Sequence, residues 1–496
     1  MTDKIEPHIS QLFEIGNRLG KGAYGVVWKV KNRLTGKYLA LKKIYNAFQN
    51  STDAQRTYRE IMYLKKIRQN ENIIKLYDVI ASENGKDIYI SFELMESDLH
   101  LVTRANLLNK DQIRYILYQL GRALKFLHSA KLIHRDLKPS NIFINSDCKI
   151  KIGDFGLVRA LKSERRVLSE NIATKSYKAP ELILSSHSYT EAIDIWAFGC
   201  VMAELLLKKT LFKGNGVFGQ LQSICDVIGL PNKTDIKALK AEKFEGIFEQ
   251  MAINKEGCFW DLFKGLEPSA VELMQSIFRF NPKNRPKIDD ILSHSYFKEV
   301  RDIKYEKTYE GNLSIPIDDN QRLPVEVYKN ALFKLSKYTS TKKENTSTNN
   351  FFLPDILKKS ENNTRNPFKR KTKANLSEIN KFLHDHKKKI GNDNNQLSRQ
   401  KTFQKHLSLN KKQSKFKRKE SSIGSYNSKF ILARKKSSMD SMKCFNSNNN
   451  NRKFGKNITF SRQVNQSQKR LKEYLSVKNR NNQSLSKIMN KFYMYN

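Results

Sequence analysis

The sequence lacks the features that mark membrane-spanning, secreted and disulfide-rich proteins. Its five cysteines form no Cys-x-x-Cys pair, and no apolar run is long enough to span a membrane. The first residues, MTDKIEPHIS, have neither the basic start nor the apolar core of a secretory signal. We therefore expect a cytoplasmic protein whose cysteines are reduced.

Acidic residues are scarce in the last third of the chain. Residues 341–496 hold 38 Lys and Arg against 9 Asp and Glu, a net charge of +29, while the whole chain of 496 residues carries +42. Asn, Ser, Lys and Gln dominate there, so little apolar surface is available to offset the entropy lost on ordering. We predict that residues 339–496 form a disordered basic tail.

The tail is open to two interpretations. It is either a solvated linker of biased composition or an anchor for an acidic partner such as tubulin or RNA, which would extend the expected location to the cytoskeleton or the nucleus. Phenylalanines are interleaved with its basic residues, but no folded nucleic-acid-binding module is recognisable, and Pro-x-x-Pro is absent. Its sequence does not decide between the two.

Two hydrophobic patterns divide the residues before the tail. Between about 13 and 92, β-branched and aromatic runs such as YLALKKI and DIYISF alternate with turns, and one helical stretch places Ile61, Leu64 and Ile67 on one face. From about Leu99 the spacing becomes helical, and IDIWAFGCVMAELLL is apolar on all sides, as in a buried helix. The pattern predicts an α+β chain with a small sheet followed by a larger helical part.

The stretch GKGAYGVV places Gly20, Gly22, Gly25 and Val27 between two predicted strands. Glycines allow backbone N–H groups to approach phosphates closely. The same spacing also marks dinucleotide sites and occurs in ordinary turns, so alone it is weak. Lys42, on the next strand, could pair with phosphates if Glu60 on the helical stretch held it. Taken singly, Lys42 is better explained as a solvated strand lysine and Glu60 as a surface helix charge.

The stretch HRDLKPSN and the DFG that follows it add a more specific pattern. Magnesium bound to phosphates needs hard oxygen ligands, which Asn141 and Asp154 supply. Asp136 then remains to accept a proton from an attacking hydroxyl, and Lys138 remains to reach the phosphate in transfer.

The ordered set GxGxxG, AxK, Glu60, HRDLKPSN, DFG, APE, DIWAFG and Arg285 in NPKNRP resembles the eukaryotic protein kinases. REIMYLKKIRQNENIIKLYDVI and HRDLKPSNIFIN resemble the mitogen-activated protein (MAP) kinases in particular, as does IPIDDNQRLPVEVYKNALF after the core. The closest resemblance is to the atypical extracellular-signal-regulated type with long basic tails. The resemblance implies a bilobal kinase fold. The kinase domain is expected at 13–297, with lobes at about 13–95 and 96–297 and an insert at about 232–258 in the second lobe. An N-terminal extension is expected at 1–12, and a C-terminal extension at 298–338 is expected to pack back on the small lobe.

The resemblance also implies function. It points to a monomeric enzyme that uses ATP and Mg²⁺ to phosphorylate Ser and Thr of protein substrates. The residues that it places around the nucleotide are Gly20, Gly22, Gly25, Val27, Ala40, Lys42, Phe92 as gatekeeper, and Glu93 and Met95 in the hinge. Thr174 matches the threonine that braces the catalytic aspartate. The alternative is a scaffold or anchoring protein that binds ATP and acts through its tail.

The activation segment departs from the family. Where MAP kinases have Thr-Glu-Tyr, this chain has Ser-Glu-Asn at 169–171, and lysines replace the family's arginines in KSYK at 175–178. Lysine cannot form the bidentate fork by which arginine receives a phosphate. We therefore expect Ser169 alone to be the switch, with its phosphate held by Arg135. Arg166 lies three residues before Ser169, a spacing that suits an upstream basic-directed kinase. The alternative is drift in a loop that needs no phosphate.

Overall fold

The computed structural model describes residues 4–22, 25–161, 175–184, 190–239, 245–249, 251, 256–319 and 321–336. Ser169, Asn171, Thr174 and the tail predicted at 339–496 lie outside the described residues. Among the helices that are described, none combines the length and the apolarity that crossing a membrane requires.

An antiparallel five-stranded sheet forms the first lobe, in the order β1-β2-β3-β5-β4. Its strands are Phe13–Lys21 (β1), Gly25–Asn32 (β2), Tyr38–Ile44 (β3), Leu76–Ala81 (β4) and Ile88–Glu93 (β5). Burial alternates along β2, as expected when one face of a sheet packs on a core and the other faces solvent. The predicted strands are therefore confirmed.

Two helices accompany this sheet. Helix α1 (Pro7–Leu12) precedes β1 and buries Ile9 beside Phe13. Helix α2 (Ser51–Lys66) begins after Asn50, whose side chain accepts a hydrogen bond from the Asp53 N–H at 2.9 Å and so caps the helix. It is the helical stretch that the sequence predicts between the strands.

The second lobe is mainly helical. Its helices are Leu99–Arg104 (α3), Lys110–Ser129 (α4), Pro180–Ile183 (α5), Ala192–Leu207 (α6), Gly216–Ile228 (α7), Lys233–Ala238 (α8), Glu245–Glu249 (α9), Phe259–Leu262 (α10), Pro268–Ile277 (α11) and Ile288–Ser293 (α12). Nearly every residue of α6 is buried, as its apolar sequence predicts. A β-rich lobe followed by a larger helical lobe confirms the predicted α+β fold.

Short strands occupy the start of the second lobe. They are Ser97–Asp98 (β6), Leu132–Ile133 (β7), Ile142–Ile144 (β8), Ile150–Ile152 (β9) and Arg159–Ala160 (β10), paired as β6-β8-β9 and β10-β7. Because β7 and β8 enclose residues 134–141, this loop is held at both ends. The turn that follows β9 carries Asp154.

The segment after α12 returns to the first lobe. Its last helix, Val325–Leu335 (α13), packs against α2, with the Tyr58 and Tyr328 ring centroids 5.6 Å apart. The Ala81 N–H donates to the Ser336 hydroxyl at 3.0 Å, so the segment also contacts β4. The chain end of the described region therefore lies against the sheet and its helix.

Candidate active site

Lys42 and Glu60 form an ion pair across the first lobe. Lys42 lies on β3 and Glu60 on α2, and the Lys42 Nζ lies 2.7 Å from Glu60 Oε1 and 3.1 Å from Oε2. Burial by itself would lower the pKa of Lys42, but the Glu60 carboxylate, helped by Asp154, raises it overall. The Lys42 side chain is therefore held in place as a cation by the Glu60 carboxylate.

Strand register gathers the residues expected around the nucleotide. Val27 lies opposite Lys42 in the pairing of β2 with β3, and Ala40 lies opposite Phe92 in the pairing of β3 with β5. Ala40 and Lys42 are two apart on one strand, so all four side chains share one face of the sheet. Met95 follows β5 and is half-buried.

The glycines of the first turn differ in what surrounds them. A Cβ on Gly25 would meet the Lys43 carbonyl oxygen at 2.1 Å, so packing against β3 requires glycine there. Among the residues that the structure describes, a Cβ on Gly20 or Gly22 would meet nothing within 4 Å. Their backbones therefore do not require glycine for packing, in contrast to Gly25.

Asp136 is the centre of the loop between β7 and β8. Its Oδ2 accepts hydrogen bonds from Lys138 Nζ at 2.7 Å and from Asn141 Nδ2 at 3.1 Å, and its carbonyl accepts from the same Asn141 nitrogen at 2.9 Å. With its amide nitrogen engaged in this way, Asn141 keeps its Oδ1 for another partner. The three residues, predicted from one sequence motif, are brought together.

A buried carboxylate anchors this loop from beneath. Asp194, in the first turn of α6, is fully buried and accepts hydrogen bonds from the backbone N–H groups of His134 at 2.8 Å and Arg135 at 2.9 Å. Arg135 has a left-handed φ of 70°, a strained conformation for a non-glycine residue that this anchor stabilises. Sequence reasoning did not assign Asp194 a role, although an acid in the first turn of a largely apolar helix was a visible signal.

The turn after β9 presents Asp154 to this loop. The His134 Nε2 lies 3.1 Å from the Gly153 carbonyl oxygen, and the Gly153 N–H donates to the Asn141 carbonyl at 2.9 Å. Asp154 is exposed and has a φ of 59°, again left-handed. The exposed Asp154 carboxylate and the Asn141 amide oxygen, whose backbones are joined through Gly153, are the kinds of oxygen donor that suit a hard divalent cation.

The segment just before α5 is strongly basic. Burial, together with the positive charges of Arg135, Lys175 and Lys138, lowers the pKa of Lys178 to about 8, against the opposing effect of Asp136. Arg135 Nη1 also donates to the Leu157 carbonyl at 3.4 Å. Arg135 thus lies in the same loop as Asp136, while its expected partner Ser169 lies outside the described residues.

Helix α5 is tied to the rest of the second lobe by a buried ion pair. Arg285 Nη1 and Nη2 donate to Glu181 Oε1 and Oε2 at 2.7 and 2.8 Å, a bidentate arrangement in which both side chains are almost fully buried. The Arg285 guanidinium also lies over the ring of Trp196, 5.0 Å from its centroid. APE and NPKNRP, far apart in sequence, therefore form one contact.

The acidic residues after α12 are paired with cations of the chain itself. The ion pairs are Arg114–Glu299 at 2.7 Å, Lys304–Asp302 at 2.8 Å, Arg301–Glu306 at 2.9 Å and Lys125–Glu306 at 3.1 Å. Burial alone would raise the pKa of Glu306, but its hydrogen bonds from Arg301 and Lys125 lower it. The negative charge of this segment is therefore largely neutralised within the protein.

Comparison with known proteins agrees with this geometry. The family profile for the protein kinase domain matches residues 13–297. Extracellular signal-regulated kinase 2 of Dictyostelium discoideum is 40% identical over 354 residues, which cover 70% of this chain and 96% of that protein. Mitogen-activated protein kinase 15 of Xenopus laevis is 42% identical over 339 residues, covering 67% and 58%. Mitogen-activated protein kinase 4 of Arabidopsis thaliana is 40% identical over 306 residues, covering 60% and 81%.

The fold, the site and the matched profile show that the chain belongs to the protein kinase family. Its relatives place it more narrowly, as a MAP-kinase-like serine/threonine kinase. The family uses ATP and a divalent metal ion, and acts on protein substrates. The scaffold alternative is not favoured by these relatives.

Proposed function

We propose that Asp136 is the catalytic base of this kinase, with Lys138 beside it to neutralise negative charge on the phosphoryl group. Asp136 accepts the proton of a substrate Ser or Thr hydroxyl while the γ-phosphoryl group of ATP is transferred to that oxygen. Lys42, oriented by Glu60, anchors the phosphates of the nucleotide. The observation that carries this proposal is the set of hydrogen bonds joining Asp136, Lys138 and Asn141.

Asn141 and Asp154 are the proposed metal ligands, and Mg²⁺ is the proposed metal. Both offer oxygen atoms, the ligands that Mg²⁺ prefers, and the bonds between Asn141 and Asp136 use the Asn141 Nδ2 rather than its Oδ1. Bound Mg²⁺ would neutralise the charge that develops on the phosphates. Gly20, Gly22, Gly25 and the face shared by Val27, Ala40 and Phe92 would hold the rest of the nucleotide, with Glu93 and Met95 at the hinge.

The test of this function is phosphate transfer from radiolabelled ATP to a generic basic protein substrate by the purified chain. The matched control is Asp136→Asn, whose expected effect is argued in the Discussion. Equal incorporation of radiolabelled phosphate by the unmodified protein and by Asp136→Asn would contradict the assigned mechanism and would favour the scaffold alternative. We also propose that the enzyme works as a monomer.

Ser169 is the proposed regulatory site, and the expected result is that Ser169→Ala lowers the activity of protein purified from its own cells, whereas Asn171→Ala changes little. A phosphate brings close to two negative charges, and Arg135, next to Asp136 in the loop between β7 and β8, is the proposed group that receives it. Thr174, in the same activation segment as Ser169, is proposed to brace Asp136. The proposed modifying enzyme is an upstream basic-directed kinase, because Arg166 lies three residues before Ser169. Mass spectrometry of the active protein measures the phosphate, and full activity with Ser169 unmodified would refute the switch.

The basic tail is the proposed contact for an acidic partner, with tubulin and RNA as the candidates and a cytoplasmic, nuclear or cytoskeletal location. Ending the chain near Tyr338 should leave peptide phosphorylation close to that of the full chain. It should abolish binding to acidic polymers, which in the full chain weakens as salt rises because exposed charges are screened. Sedimentation with microtubules and with RNA at rising salt measures this binding. Equal binding by the shortened chain would assign it to the kinase domain instead.

A further inference from the structure

One buried carboxylate of the C-terminal segment reaches the active-site helix. Asp319 lies between α12 and α13, and its side chain is 4% exposed. Its Oδ1 accepts hydrogen bonds from Arg59 Nε at 2.6 Å and from Arg159 Nη1 at 2.8 Å. Its Oδ2 accepts one from the Tyr63 hydroxyl at 3.3 Å. Two arginines and a tyrosine thus converge on a residue about 260 positions away from α2.

Arg59 connects this carboxylate to two parts of the active site. Its side chain is fully buried, and its Nη1 donates to the Gly156 carbonyl at 3.0 Å, in the turn that carries Asp154. Along α2 the next residue is Glu60, which holds Lys42. A movement of Arg59 would therefore shift Glu60 and the Asp154 turn together.

Asp319 brings a negative charge to a cluster that holds two arginines. Arg59 and Arg159 bring two positive charges to the site, and Asp319 is the carboxylate that both contact. Burial and the negative charge of Asp319 raise the pKa of Tyr63, as expected beside an ionised acid. Removing a carboxylate that contacts a buried arginine weakens the interactions that hold the guanidinium in place.

Other contacts hold the C-terminal segment on α2 without using the Asp319 side chain. The Tyr58 and Tyr328 rings pack together, and the Ile317 N–H donates to the Tyr58 hydroxyl at 3.3 Å. Gln55 Nε2 donates to the backbone carbonyls of Asp319 and Gln321 at 3.2 and 2.8 Å. Replacing the Asp319 side chain should therefore remove the negative charge while the C-terminal segment stays packed on α2.

We propose that Asp319 is a positioning residue of the kinase active site, and that it acts through Arg59. The pair holds α2 where Glu60 can orient Lys42, and it holds the Asp154 turn beside them. The C-terminal segment is thereby a component of the nucleotide site. This inference rests on the proposed role of Lys42 as the phosphate anchor.

Binding of ATP and of adenosine by full-length Asp319→Asn tests the proposal. ATP has phosphates for Lys42 to hold, and adenosine has none. We expect the dissociation constant for ATP to rise about tenfold, because one well-aligned charge-assisted hydrogen bond to the phosphates would be lost. The dissociation constant for adenosine should stay within about twofold of its value in the unmodified protein. Turnover should fall by about 10²-fold, as for a small misplacement of reacting groups. Asp319→Glu, which keeps the charge, should recover part of the ATP affinity.

Two reference variants complete the experiment. Glu326→Gln removes the same charge from an exposed position on α13 and should bind both ligands like the unmodified protein. Lys42→Ala shows the full loss expected when the phosphate anchor is absent. If Asp319→Asn does not fold, Arg59→Lys replaces it, because lysine keeps the charge but cannot bond to Asp319 and to the Gly156 carbonyl as the guanidinium does.

Three outcomes would overturn the proposal. Equal weakening of ATP and adenosine binding would assign Asp319 a purely structural role. Unchanged ATP affinity in Asp319→Asn or Arg59→Lys, with the loss present in Lys42→Ala, would refute the coupling and leave the proposed kinase mechanism standing. Unchanged ATP affinity in Lys42→Ala would refute the phosphate anchor and this inference with it.

Discussion

Asp136→Asn is expected to lower turnover by about 10²- to 10⁴-fold, the usual cost of losing a positioned proton acceptor. Asparagine has nearly the same size as aspartate, so the substitution removes the negative charge that faces Lys138 and Asn141 without creating a cavity. Lys42 and Asp154, the proposed holders of phosphate and metal, are untouched, and the affinity for ATP should therefore change little. Steady-state phosphorylation of a peptide, together with a direct measurement of ATP binding, separates the two quantities.

Asp147→Asn is the matched control for this result. Asp147 lies on an exposed turn shortly after the catalytic loop, where it pairs with Lys149 at 3.0 Å. Its replacement should leave turnover unchanged. Wild-type turnover in Asp136→Asn, or an equal loss in both variants, would show that Asp136 does not act as the base.

Arg285→Gln is expected to lower the free energy of unfolding by about 3–5 kcal/mol, because it leaves the buried Glu181 carboxylate without its cation. The double variant Glu181→Gln/Arg285→Gln should lose less, since neither charge then remains buried alone. Urea denaturation followed by intrinsic fluorescence measures the unfolding free energy of both variants.

An exposed pair provides the comparison for this stability effect. Lys149→Gln breaks the surface pair with Asp147 and should change the unfolding free energy by about 1 kcal/mol or less. A loss in Arg285→Gln no greater than this would mean that α5 is held by its apolar contacts rather than by the ion pair.

Much of the active site could be predicted because its parts are local in sequence. Asp136, Lys138 and Asn141 lie within six residues, so one loop is enough to bring them together. Strand and helix periodicity likewise predicted β3 and α2, the elements that carry Lys42 and Glu60. Motif spacing and hydrophobic periodicity involve only residues that are close in sequence, so they can be recognised without the structure.

The residues that hold these parts in place were not predictable in the same way. Asp194 supports the catalytic loop from α6, and Asp319 contacts Arg59 from the far end of the described chain. The neighbouring sequence does not distinguish Asp319 from a surface acid, and the apolar helix around Asp194 indicates burial but not which groups that carboxylate contacts. Their burial and their partners exist only after the lobes have folded.

The sequence by itself determined the fold class, the kinase motifs and the identity of the chemical groups. The sequence also offered Glu60 as the carboxylate for Lys42, and the tertiary structure decided the other charge contacts: Glu181 with Arg285, and Asp319 with Arg59. The physical reason is that apolar periodicity repeats over a few residues, whereas the strength of a charge contact depends on burial and distance in space. Residues some 260 positions apart acquire both only when the C-terminal segment packs on α2.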